Sequence, residues 1–146
     1  MNFSAIIRML AFCGLFHSAA MLLCAFVALV AGETAQLKSF LTTAVIMSTG
    51  SVATIVLVPR PTRRALPPDG LAFMVLFWFV SAIICAPPFL MGVPNHSAIT
   101  ALHEAVSCLT TTGHSVLPTG GNPLPASLVL WRAILHLVGA VATITF

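Results

Sequence analysis

Charge is what this sequence has least of. Only 6% of its 146 residues are charged, three acids against six cations, where a soluble domain carries about 25%. That shortage excludes a water-soluble globular fold. A formal net charge of +3 is also too small to argue for a nucleic-acid-binding surface. Cysteine is sparse and unpatterned: Cys13, Cys24, Cys85 and Cys108 all fall in apolar stretches and form no CxxC pair. Neither a zinc site nor a disulfide framework is indicated, and the four read as small buried apolar residues.

Hydrocarbon is what the chain has in quantity: 59% of it is hydrophobic and its mean hydropathy is +1.08. Four apolar stretches, Met9 to Ala31, Ser39 to Val58, Leu71 to Met91 and Leu124 to Phe146, are each long enough to cross about 30 Å of lipid as a helix. The first is longer than the apolar core of a secretory signal, about 7–15 residues, and a second span follows at once, so it reads as a retained helix. The expectation is an all-α, multi-pass membrane protein with membrane lipid as its surroundings and no enzymatic reaction.

The cations set an orientation. Arg8 precedes the first span, and Arg60, Arg63 and Arg64 cluster between spans two and three. The positive-inside tendency puts both on the cytoplasmic side. The turn from Gly32 to Lys38 and the segment Gly92 to Pro123 then lie outside.

That outer segment is the informative one. From Ser97 to Leu109 it opens with a capping-type serine and has no proline or glycine, which predicts a helix. At about 1.5 Å per residue this helix is near 20 Å long, too short to span. Thr110-Thr111-Thr112-Gly113 and a Pro/Gly-rich stretch follow it, so the pattern reads as a re-entrant hairpin. Non-helical backbone at membrane depth is tolerated where protein buries it or where it lines a water-filled cavity. An extended Thr-Thr-Thr-Gly run can turn consecutive carbonyl oxygens inward to replace a cation's hydration shell, as K⁺ filters do. The carboxyl end of the short helix, near Leu109, would add the negative end of its dipole. Gly113 would allow backbone angles that a side chain forbids, or would simply let the chain turn as a C-cap glycine.

The stretch Ala101-Leu-His-Glu-Ala-Val-Ser-Cys-Leu-Thr-Thr-Thr-Gly-His114, then Leu124 to Leu130, Trp131-Arg132 and Gly139, resembles the first pore repeat of the Trk/Ktr/HKT potassium transporter superfamily, nearest to its bacterial TrkH-type branch. Asp69-Gly70, Trp78 and Pro88-Phe89 resemble the entry and exit of that repeat's first helix, and the two leading spans resemble the helix pair that precedes the repeats. The likeness covers nearly the whole chain. It implies a leading two-helix hairpin over residues 1–65 and a pore repeat over 66–146, with an outer helix at 71–91, a pore helix at 97–109, a filter at 110–114 and an inner helix beginning at 124–146.

The resemblance further implies potassium transport across a bacterial inner membrane. Backbone carbonyls of Thr110, Thr111, Thr112 and Gly113 would form one quarter of a selectivity filter, with K⁺ held at Thr111 and Thr112. Glu104, Ser107, His114 and Arg132 would support that filter. K⁺ is the transported ion, and no cofactor is expected in this chain. The complete protein would be a homodimer gated by a cytosolic nucleotide-binding regulatory subunit. The family builds its pore from four repeats, so the chain is expected to be an amino-terminal fragment that needs the remaining pore repeats to conduct. A non-conducting remnant or helical interaction module is the alternative.

Departures from the family pattern are His103 in place of Phe, Cys108 and His114 beside the filter, and Ala140-Val-Ala142 in place of a glycine-rich run. Several residues keep two readings. Glu104 either attracts cations or fixes the loop by hydrogen bonds. Arg132 either snorkels to the outer interface or pairs with an acid inside the protein. His103-Glu104 opens like HExxH, but position 107 is Ser, which removes the second zinc ligand. His17 and His136 read as packing residues in preference to proton relays.

Overall fold

The computed structural model describes residues 2–61, 66–93, 97–117 and 123–145. Six helices follow one another: α1 (Phe3–Val30), α2 (Thr34–Leu57), α3 (Pro67–Cys85), α4 (Pro87–Gly92), α5 (Ala98–Leu109) and α6 (Ala126–Thr145), and no strand occurs among the described residues. Four helical segments are long and apolar enough to cross a membrane: Phe3–Val30, Thr34–Leu57, Pro67–Gly92 and Ala126–Thr145. Helix is the form such segments must take, because each backbone polar group is then satisfied within its own segment. Hydroxyls in the spans bond back to their own helix: Thr43 Oγ1 donates to the Ser39 carbonyl at 2.8 Å, and Thr143 Oγ1 to Gly139 at 2.9 Å.

The first three spans start earlier than hydropathy alone marks them, and the fourth starts two residues later, at Ala126. α1 begins at Phe3 because the Asn2 side chain caps it, and α2 begins at Thr34 directly after a tight turn. In that turn Gly32 takes φ 73°, the Glu33 amide donates to the Ala28 carbonyl and the Gly32 amide to Leu29. This paired bonding with a left-handed residue is a Schellman stop.

The third apolar stretch is two helices, broken at Ala86. Pro87 and Pro88 have no N–H to continue the ladder, and the Phe89 amide bonds Ala86. The Cys85 carbonyl accepts from Trp131 Nε1 at 3.3 Å instead. Trp131 is fully buried and meets the Phe40 ring edge-on with centroids 6.0 Å apart, so it ties α6 to both α2 and α3. The main core gathers around it: Met21, Cys24, Phe40, Phe89, Leu109, Leu128 and Leu135. Cys24, Cys85 and Cys108 are buried and Cys13 half-buried, all as free thiols.

Polar latches define the two ends of the bundle. At one end Arg8 donates to the Ile55 and Val58 carbonyls at 2.6 and 2.8 Å, a cation on the last carbonyls of α2. Asp69 there accepts from the Asn2 and Leu66 amides at 2.7 and 3.0 Å. At the other end Glu33 accepts from the Ala126 and Ser127 amides at 2.6 and 3.2 Å and from the Ser127 hydroxyl, so an anion caps the amino end of α6. Gln36 donates to the Gly92 carbonyl at 2.7 Å nearby. The start of α1, the end of α2 and the start of α3 therefore share one end. The α1–α2 turn and the start of α6 share the other, as the sequence-based topology requires. Arg60 follows α2, whereas Arg63 and Arg64 lie outside the described residues.

Candidate functional site: a pinned loop after the re-entrant helix

α5 starts where its serine predicts: Ser97 caps it by accepting from the Thr100 amide at 3.1 Å. It buries Ala101, Glu104, Ala105, Ser107, Cys108 and Leu109 and leaves Ile99, Leu102 and Val106 exposed. Its carboxyl end packs on α6. A Cβ at Gly139 would lie 2.7 Å from the Leu109 carbonyl carbon, so only glycine permits this approach.

The stop of α5 departs from the extended run expected of Thr110 to Gly113. Thr110 closes the helix at φ −78° and ψ 6°, and Thr111 follows at φ 57°. The Thr111 amide donates to the Cys108 carbonyl at 3.1 Å and the Thr112 amide to Ser107 at 3.0 Å. This is again the Schellman pattern, with Thr111 where α1 uses Gly32. The left-handed C-cap position thus belongs to Thr111, a β-branched residue that takes it at a cost of about 1–2 kcal/mol. Gly113 comes two residues later at φ 76°, and its amide also reaches the Ser107 carbonyl, at 3.2 Å. The carbonyls of Val106, Ser107 and Cys108 are taken up by amides of the loop, which draws the backbone round instead of leaving the helix end open.

Beyond the turn the loop is pinned from both sides. Glu104 is fully buried. Its Oε1 accepts from the Ser115 hydroxyl at 2.8 Å and the Val116 amide at 2.6 Å, and its Oε2 pairs with Arg132 at 2.5 Å. Arg132 also donates to the Gly113 carbonyl at 3.3 Å. Ser107 donates to the His114 carbonyl at 2.6 Å. The carboxylate thus bonds the loop, and the arginine pairs with an acid inside the protein. Charge-assisted bonds of this kind are stronger than neutral ones.

The eight singled-out residues, Glu104, Ser107, Thr110 to His114 and Arg132, thus come together in one structure. Thr110 to Val116 are all exposed along the loop. Thr110 and Thr112 share a hydroxyl–hydroxyl bond at 2.9 Å. The His114 side chain stands clear of the latch, against the His103 ring. Two contributors were not anticipated. Ser115 completes the carboxylate's bonding, and His136, held by its own bond to the Arg132 carbonyl at 2.7 Å, places Nε2 3.5 Å from where a Gly113 Cβ would be. A serine two residues past a glycine carries no local signal of such a role. Among the described residues no group of three or more His, Cys, Asp or Glu side chains is arranged to hold a metal ion.

No family model matches the chain. Among curated proteins it is similar to the Trk system potassium uptake protein TrkH of Vibrio parahaemolyticus, 32% identical over 99% of this chain and 30% of that protein. It is similar to TrkH of Salmonella typhimurium as well, 31% identical over the same shares. The fold matches the crystal structure of the potassium transporter TrkH from Vibrio parahaemolyticus with a TM-score of 0.82, at 32% identity, over 95% of this chain and 30% of that one. The chain thus spans about 30% of the length of these relatives. They are transporters, not enzymes, and with four apolar helices the chain is a multi-pass membrane protein. Sequence and fold agree over one and the same stretch, at an identity too high for architectural likeness alone, and so the chain belongs to the Trk family of potassium uptake proteins, on its TrkH branch.

Proposed function

We propose that this chain contributes to K⁺ uptake by supplying one quarter of a selectivity filter, the backbone from Thr110 to Gly113, in a pore that remaining repeats complete. The observation that carries the reading is the loop itself: positive φ at the alternate residues Thr111 and Gly113, an exposed face, and rigid fixation by Glu104, Ser107 and Arg132. Backbone that reverses hand at alternate residues can present carbonyls on one side, which replaces a hydration shell in the way K⁺ filters require. In this reading K⁺ sits at Thr111 and Thr112. Residues 1–65 form a leading hairpin and 66–146 the first repeat. The complete assembly is a homodimer in a bacterial inner membrane, with the Arg60 end cytoplasmic and facing a nucleotide-binding regulatory subunit.

One repeat supplies carbonyls from one direction only, so conduction needs the other three. The test is growth of a K⁺-uptake-deficient bacterial strain at low K⁺. Rescue is expected from the chain joined to its downstream repeats and not from the 146 residues alone. Rescue by neither, with both proteins present in the membrane, supports the non-conducting alternative.

A further inference from the structure

The two departures from the family pattern that flank the loop meet in space. His103, on α5, and His114, directly after Gly113, stand with ring centroids 5.5 Å apart and planes at 84°. Both are exposed. Their backbones are held together by bonds that do not involve the imidazoles: Glu104, next to His103, accepts from Ser115 and Val116, and Ser107 donates to the His114 carbonyl. The two imidazoles are therefore brought together by the fold of α5 and the loop.

We propose that His103 and His114 form a two-imidazole site for a first-row transition-metal dication such as Cu²⁺ or Zn²⁺, with water completing the coordination. Imidazole nitrogen suits these ions. With metal–nitrogen bonds of about 2.0–2.1 Å, two imidazoles on one tetrahedral ion have centres roughly 5 Å apart, close to the spacing found. The nearby Arg132 charge is offset by its bond to Glu104. Two protein ligands make an open, exchangeable site, and Cu²⁺ binds more tightly than Zn²⁺ in it. A bound ion bridges α5 to the returning arm of the loop. The proposal goes beyond K⁺ conduction and does not depend on it, since it needs only the folded helix and loop.

The test is metal binding by the purified chain in detergent. Calorimetry should give one Zn²⁺ per chain, and electron paramagnetic resonance of Cu²⁺ should show splitting from two nitrogens. His103→Phe and His114→Gln should each weaken Zn²⁺ binding roughly tenfold or more while circular dichroism stays unchanged. Binding that survives both substitutions, or no binding at millimolar Zn²⁺, overturns the site. If a variant misfolds, the nitrogen count on the unsubstituted chain decides, and any number other than two also overturns it.

Discussion

Glu104 and Arg132, 28 residues apart, form an ion pair of 2.5 Å in which the carboxylate is fully buried and the arginine side chain 15% exposed. The pair joins the short re-entrant helix to a membrane-spanning one, and through Ser115, Val116 and Gly113 it holds the loop between them. Removing one partner of a buried pair leaves an uncompensated charge, which costs about 3–5 kcal/mol. Arg132→Met and Glu104→Ala should each lower the thermal midpoint of the purified protein strongly. The double variant should lose less than the two single losses added together. Additive losses would show that the two side chains act independently.

Gly113 needs its positive φ, and the nearest atom to an added Cβ, His136 Nε2 at 3.5 Å, is at ordinary contact distance. The penalty of Gly113→Ala is therefore backbone strain of about 1–2 kcal/mol and not a clash. In the transporter completed by its downstream repeats, this variant should reach the membrane in near-normal amount while its K⁺ to Na⁺ uptake ratio falls, more than for Cys108→Gly or His114→Ala. Uptake of both ions, normalised to folded protein, checks this. An unchanged ratio would remove Gly113 from the filter.

Gly139 and Gly50 offer a matched contrast within membrane-spanning helices. A Cβ at Gly139 overlaps the Leu109 carbonyl, whereas at Gly50 it meets nothing within 4 Å. Gly139→Ala should push α5 off α6 and lower the unfolding midpoint, with overpacking costs of about 1–3 kcal/mol. Gly50→Ala should be neutral or raise the midpoint, since alanine favours helix over glycine by about 1 kcal/mol. Equal shifts of the same sign would contradict the close approach of α5 to α6.

The end of the bundle that carries Arg8 and Arg60 should face the cytoplasm, because the cations concentrate there. A single cysteine at position 62, in a chain otherwise free of cysteine, should react with an impermeant thiol reagent only after the cells are permeabilised. Reaction in intact cells would reverse the orientation and turn the loop after α5 to the inner side.

Most of the architecture could be read from hydropathy and caps. Four apolar runs, Ser97 as a helix start and the Thr/Gly stretch after Leu109 are local signals, and the helices and the re-entrant turn appear where these lie. What escaped local reading depended on distant contacts. Arg132 sits eight residues into an apolar run, where sequence carries no depth marker, and its partner is 28 residues away. Glu33 reads as an ordinary turn acid, yet it caps a helix that begins 93 residues later. The Pro87-Pro88 pair does signal a break, but the apolar run around it is continuous and conceals it. Thr111 misleads in the opposite direction: a β-branched residue is a poor candidate for the left-handed region, so nothing in a run of threonines marks which one ends the helix.

The chain has three acidic residues in all, and each of them is engaged internally: Glu33 on the start of α6, Asp69 on the Asn2 and Leu66 amides, Glu104 on Arg132 and the loop. Glu104 is neutralised by its pair with Arg132, whereas the bonds of Glu33 and Asp69 to neutral amides and a hydroxyl leave their charge in place. A cation approaching the loop, where the Glu104 charge is already balanced, is met by exposed peptide dipoles, whose potential decays more steeply with distance than that of a charge. Under the proposed function, capture is therefore a short-range event at the loop, with little steering from the balanced Glu104–Arg132 pair. Ionic strength, which screens steering through the Debye length, has correspondingly little at this loop to screen.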